Sequence, residues 1–219
     1  MSNNSIIQFL RKHFSKRFLK ALKERNFESA GELVREYQER FLKYMEEADF
    51  GNNNEKFSSY LNIYSGLAAY ELLQENGFSR EESVSIYDYM CAPLRKVAAI
   101  SYCIADLLPN GFEISVNSLK EDMIGAKAVC WETSVLEDTE DRFEYRITKC
   151  LYFDTCKEHG YPEFTKVFCN HDRHAYDVLH RHAKFIRYAA IGEGGSCCHD
   201  AFVNVGKQRK ARDEYLQNK

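Results

Sequence analysis

The sequence predicts an α+β fold, a helical N-terminal half packed with a C-terminal antiparallel sheet made of two hairpins and covering helices. Three observations carry this. Apolar residues recur at helical spacing up to about residue 108; Pro and Gly in LPNGF, residues 108 to 112, break that pattern; and two pairs of segments rich in β-branched and aromatic residues follow.

Ile6, Ile7, Phe9, Leu10, Phe14, Phe18, Leu19 and Leu22 mark a first helix, and Leu33, Tyr37, Phe41, Leu42 and Tyr44 a second. Between them, Asn26 to Ser29 supply capping side chains for a second helix opening near Glu28. GNNNEKFSS at 51 to 59 reads as a polar connector. Tyr60, Ile63, Tyr64, Leu67, Ala68, Tyr70 and Leu73 form a third stripe that stops at Gly77, and SREES at 79 to 83 caps a long helix running to about Leu108. Beyond the break, 128 to 136 and 143 to 149 flank the acidic turn EDTED, and 184 to 191 and 198 to 205 flank GEGGSC. The intervening stretches, CLYFDTCKEHGY and PEFTKVFCNHDRHAYDVLHRH, read as mostly helical. The chain thus divides into a helical region, 1 to 110, and an α+β region, 111 to 219, expected to form one compact domain.

With 219 residues, 44% of them hydrophobic and 14% aromatic, the chain can bury a substantial core. The formal charge of -3 is spread over interleaved acids and bases, so nucleic acid is not expected as a partner. No run approaches the roughly 20 apolar residues that cross a bilayer, and the basic amphipathic N-terminus reads as a packed surface helix, so no membrane partner is expected. The N-terminus lacks the pattern of a secretory signal. The eight cysteines are therefore read as reduced thiols of a cytoplasmic protein rather than a disulfide framework, each by default a small core residue. A homo-oligomer remains open.

Polar chemistry concentrates late in the chain, where six of the seven histidines and five of the eight cysteines fall at or after Cys150. In FCNHDRHAY, a helix places Cys169 and Asp172 on one face and His171 and His174 on another; the plain alternative is a helix start capped by Asn170 or Asp172. In GGSCCHDAF, Gly194 and Gly195 let backbone approach a ligand closely, so amides there can polarise an oxyanion while Cys198 stands on the following strand; the plain alternative is a tight hairpin with one thiol in and one out. Cys169, His171, His174, Cys197, Cys198 and His199 exceed the four ligands zinc requires, but no C-x2-C or H-x3-H pair is present. No metal or other cofactor is therefore assigned, with zinc the metal to test for and a non-enzymatic Cys/His metal- or redox-binding protein the competing reading. An interaction protein built on the N-terminal helices is a third.

The run from Cys150 to Asn204 resembles the L-2-amino-thiazoline-4-carboxylic acid hydrolase family in Cys150 at a strand end, Cys169 and Asp172 in CNHD, Arg187 in FIRYAAI, and Gly194, Gly195 and Cys198 in GGSCCHDAF. His199 occupies the slot where the resemblance places an acidic residue, and Asp200 follows it. The resemblance implies a hydrolase that opens a C–N bond of a small cyclic amidine. Cys198, with Cys169 as second choice, would attack the amidine carbon, Asp172 would hold the cationic nitrogen, Arg187 would pair with the substrate carboxylate, and His199 or His171 would move protons.

Overall fold

The computed structural model describes residues 3–51, 53–124 and 129–207, apart from the side chain of Asp122. Residues 52 and 128, expected in the connector and at the start of the first strand, lie outside these. The fold is α+β. It contains α1 (Asn3–Glu24), α2 (Ala30–Glu47), α3 (Asn54–Glu75), α4 (Arg80–Leu107), α5 (Gly111–Ile124), β1 (Trp131–Asp138), β2 (Arg142–Cys150), α6 (Leu151–Glu158), α7 (Thr165–Tyr176), β3 (Ala183–Ala189) and β4 (Cys198–Asn204). Two compact units emerge, Met1–Pro93 and Leu94–Lys219. The first ends at Pro93, inside α4, and the compositional break at 110 falls within the second.

In the first unit, the stripes on α1 and α2 become its core. Phe14, Phe18, Leu22, Leu33, Tyr37 and Phe41 are buried, and the rings of Phe18 and Tyr37 meet edge to face at 5.3 Å. α3 starts earlier than its apolar stripe suggests, because Asn53 accepts the backbone N–H of Lys56 at 2.9 Å and caps it within the polar connector. The SREES box forms at the start of α4: Glu82 accepts the amide of Ser79 at 2.9 Å, and Ser79 Oγ accepts the amide of Glu82 at 3.2 Å. α2 is tied to α3 by Arg40, which forks onto Glu75 at 2.7 and 2.8 Å.

The second unit is built on a sheet of order β1-β2-β4-β3, antiparallel throughout, so the two expected hairpins join through β2 and β4. Helix continues past LPNGF into α5, an element absent from the sequence reading. Its stripe of Phe112, Val116 and Leu119 packs with Phe143, Tyr145, Ile147, Phe185 and Phe202 in one core. Tyr176 of α7 joins the core, with its ring 5.0 Å from Phe185 and 5.2 Å from Phe202.

A buried carboxylate fixes the link from α7 to β3. Asp106, near the end of α4 and 2% exposed, accepts the backbone amides of His180, Arg181, His182 and Ala183 at 2.6 to 2.8 Å. Burial pushes its carboxyl up, but the four amide bonds outweigh that and hold it below the usual aspartate value. The ionised form therefore stabilises the fold above the ordinary carboxylate range, and the contribution is lost as pH falls through the depressed value. Replacing Asp106 with Ala strands four amides and should cost about 3–5 kcal/mol in denaturant unfolding at neutral pH. The loss relative to wild type should begin to shrink below about pH 4, where the unfolded carboxylate protonates, and vanish only below the depressed value at which the native carboxylate follows.

Candidate active site

The register of the sheet decides which side chains meet. Ile147 pairs with Cys198, Tyr145 with Asp200 and Arg187 with Asp200, so Tyr145, Arg187, Cys198 and Asp200 share the inner face. α7 packs on that core through Tyr176, and Cys169 and Asp172, seven and four residues earlier, lie on the same side of the helix. Cys150 ends β2 and opens α6.

Arg187 and Asp200 form the centre. Nε and one Nη of Arg187 donate to the two oxygens of Asp200 at 2.9 and 3.1 Å, and the other Nη donates to the carbonyl of Cys169 at 2.8 Å. Tyr145 adds a longer contact, its hydroxyl 3.4 Å from Asp200 Oδ2. Both charged side chains are buried, 8% and 2% exposed. The pair is internally neutral, and one guanidinium thereby connects β3, β4 and α7.

Asp172 is arranged differently. Among the described residues it has no hydrogen-bond or ion-pair partner, and it keeps more than a third of its surface accessible. Protein nonetheless crowds it enough that loss of water is the largest influence on its carboxyl; Arg187 pulls the other way, Asp200 adds repulsion, and the result is a rise to about 6. The carboxyl is thus crowded by protein and still open to solvent.

Three thiols share this environment. Cys198 Sγ accepts the amide of Ile191 at 3.4 Å. Burial raises the Cys198 thiol, lifts Cys150 to about 11 and lifts Cys169 to about 12, and the charge of Asp172 raises all three further. All three thiols are held toward the protonated form at neutral pH. None of the eight cysteines is joined in a disulfide, Cys197 and Cys198 included.

The glycine turn also differs from expectation. Gly194 adopts φ +92° and ends a short 3-10 turn, Ile191–Glu193. Its amide donates to Ile191 O at 3.0 Å and that of Gly195 to Ala190 O at 2.9 Å, so both are committed to the turn rather than offered to an oxyanion. A Cβ on Gly195 would stand 2.9 Å from Ala190 O, and one on Gly192 would stand 2.8 Å from Cys169 Sγ. These glycines shape the turn against α7 and aim the Ile191 amide at Cys198.

Neither catalytic histidine candidate joins the thiols. His199 lies on the outer sheet face, opposite Cys198 and Asp200. Its Nε2 is 2.6 Å from Glu144 Oε1, and its ring lies 4.6 Å from that of Tyr188. The alternation of a strand dictates this, since neighbours 198 and 199 must face opposite ways. His171 lies two positions beyond Cys169, about 200° round the helix, with its ring edge-on to Phe168. Sequence reasoning gave no role to Tyr145, Ile191 or Gly192; the GEGG spacing was the only signal for Gly192. Among the described residues no group of three or more His, Cys, Asp and Glu side chains is placed to hold a metal ion, and no helix is long and apolar enough to cross a membrane.

No curated protein and no solved structure matches the chain. The sequence model of one family matches residues 5–202, a span that reaches into both units and includes Cys150, Cys169, Asp172, Arg187, Cys198 and Asp200. The chain belongs to the L-2-amino-thiazoline-4-carboxylic acid hydrolase family.

Proposed function

We propose that the protein is a hydrolase that opens a C–N bond of a small cyclic amidine such as L-2-amino-thiazoline-4-carboxylate, with Cys198 as nucleophile. One observation carries the proposal: Asp200 absorbs the charge of Arg187, and Asp172 is left as an unpaired carboxylate beside three thiols. A site with one uncompensated negative charge suits a small cation, and an amidinium is one.

The resting thiol of Cys198 is neutral, and an amidine is basic enough to take its proton. Asp172 stabilises the amidinium that forms, and the Ile191 amide stabilises the thiolate left behind. Sulfur adds to the amidine carbon. The ring C–N bond then breaks as the exocyclic nitrogen, becoming an imine, gives up a proton that Asp172 accepts and passes to the ring nitrogen, a relay that its value of about 6 permits in both directions near neutrality. Water adds to the carbon still held by Cys198, the C–S bond to the enzyme breaks, and the ring-opened carbamoyl product leaves with the thiol restored. Two N–H groups of Arg187 remain beyond its three bonds and are assigned to the substrate carboxylate. Cys169, whose Sγ packs against Gly192, is the second-choice nucleophile. Asp172 replaces His199 and His171 as the proton carrier because both rings lie away from the thiols.

Turnover of L-2-amino-thiazoline-4-carboxylate, followed by mass spectrometry, should fall at least about 10³-fold in Cys198→Ala. Full activity in that variant would exclude the covalent route and leave water as the nucleophile. No turnover by the wild-type protein would exclude this substrate.

The pH profile tests Asp172. The ionised carboxylate is the form that holds the amidinium, so kcat/KM should rise with pH through about 6. Asp172→Asn should lower kcat/KM about 10²-fold or more and flatten that limb. An unchanged limb in the variant would assign the titration to another group.

A further inference from the structure

The first 25 residues hold seven Lys and Arg against one acid, a net +6 in a chain of total charge -3, so the rest carries -9. α1 sorts these charges by side. Phe14, Ser15, Phe18, Ala21 and Leu22 are buried on one face. The opposite face presents Phe9, Lys12, Lys16, Leu19, Lys20 and Lys23 at helical spacing. Phe9 is 63% exposed, and a shallow open recess runs among Lys16, Leu19, Lys20, Lys23 and Glu24. Among the described residues, Lys20 is the only one of these lysines with an acidic neighbour within reach, Glu24 at 3.8 Å, and both ends of that pair are solvent-exposed.

We propose that this face of α1 docks the protein onto an anionic lipid surface. Four lysines on one side of a 22-residue helix match a plane of phosphate and carboxylate headgroups. Phe9, exposed on the same side, supplies an apolar group that water does not favour and an interface accepts. Nucleic acid is the poorer match, because Arg17 and Arg25, able to fork onto a phosphodiester, are turned to the protein's own groups. Arg17 donates to Tyr89 O at 3.0 Å and lies over the Tyr89 ring; Arg25 donates to Ala21 O at 3.1 Å and Ser85 Oγ at 3.3 Å. The face thus offers point charges and an aromatic wedge without base-reading groups. Packing accounts for one side of α1 only, so the expectation of a plain surface helix leaves this side unexplained.

The test is co-sedimentation of the full chain with vesicles of phosphatidylcholine alone or of phosphatidylcholine with phosphatidylserine, at low and high salt. Binding to the phosphatidylserine vesicles only, weakened by salt, is expected. Each lysine removed should weaken it about fivefold, hence about 25-fold for K16A/K20A. Both side chains are exposed, so an unchanged thermal melt should accompany that loss; K12A/K23A is the second variant, with the same expectation. Equal binding to both vesicle types, no binding to either, or undiminished binding by both variants would overturn the proposal. So would single-stranded DNA bound at salt concentrations where vesicles are not, which would assign the face to nucleic acid.

Discussion

The fork of Arg187 on Asp200 is the constraint on which the rest of the site depends. A buried ion pair adds little net stability, because the cost of removing two charges from water offsets most of their attraction. Its effect is orientation. Three of the five guanidinium N–H groups are fixed, two on a carboxylate across the β3–β4 ladder and one on the Cys169 carbonyl of α7. That last bond sets the depth of α7 over the sheet, and with it the positions of Cys169 and Asp172. Removing Asp200 would free Arg187 to pair with Asp172, whose charge would then be compensated. The departure at position 199 thereby becomes intelligible. On an inner-face strand the acid that reaches Arg187 must sit an even number of residues from Cys198, and Asp200 does.

The support behind that fork comes from Asp106. β3 carries Arg187, and the chain enters β3 through four consecutive amides held by one buried carboxylate. A loop pinned in this way has few alternative conformations, so the register of β3 against β4 is held at the entry to β3 as well as at the charged pair. Aromatic contacts among Tyr176, Phe185 and Phe202 then close the far end of α7 on the sheet.

Periodicity made much of this legible in the sequence. The stripes of α1 to α4, the SREES box and both hairpins follow from spacing and turn chemistry, local properties that a linear reading can reach. α5 escaped because LPNGF was read as the end of helix. Pro109 and Gly111 do end α4, but Phe112, Val116 and Leu119 carry a stripe of their own immediately afterwards. At the site, Cys169, Asp172, Arg187 and Cys198 were singled out, and the fold sets the inner sheet face of Arg187 and Cys198 against the side of α7 that carries Cys169 and Asp172. The histidines were attractive by proximity in sequence, and proximity misled, since one residue along a strand reverses the face and two along a helix reverse the side. Tyr145 could not be seen at all, because its relation to Asp200 is a matter of cross-strand register.

The protonated thiols bear on selectivity rather than against catalysis. A site that kept Cys198 as a resting thiolate would react with any electrophile that entered. Here burial and the charge of Asp172 both favour the neutral thiol, and the bond from the Ile191 amide is too little to reverse them. Under the proposed mechanism only a ligand that becomes positively charged in the site changes that balance, and an amidine would do so by taking the thiol's own proton. The same encounter would make the amidine carbon electrophilic and the sulfur nucleophilic. Activation on that proposal requires a basic ligand that Asp172 can hold, and neutral electrophiles of similar size would meet an unreactive thiol. Specificity would then lie in the charge left over after Arg187 and Asp200 have neutralised each other, the charge of Asp172.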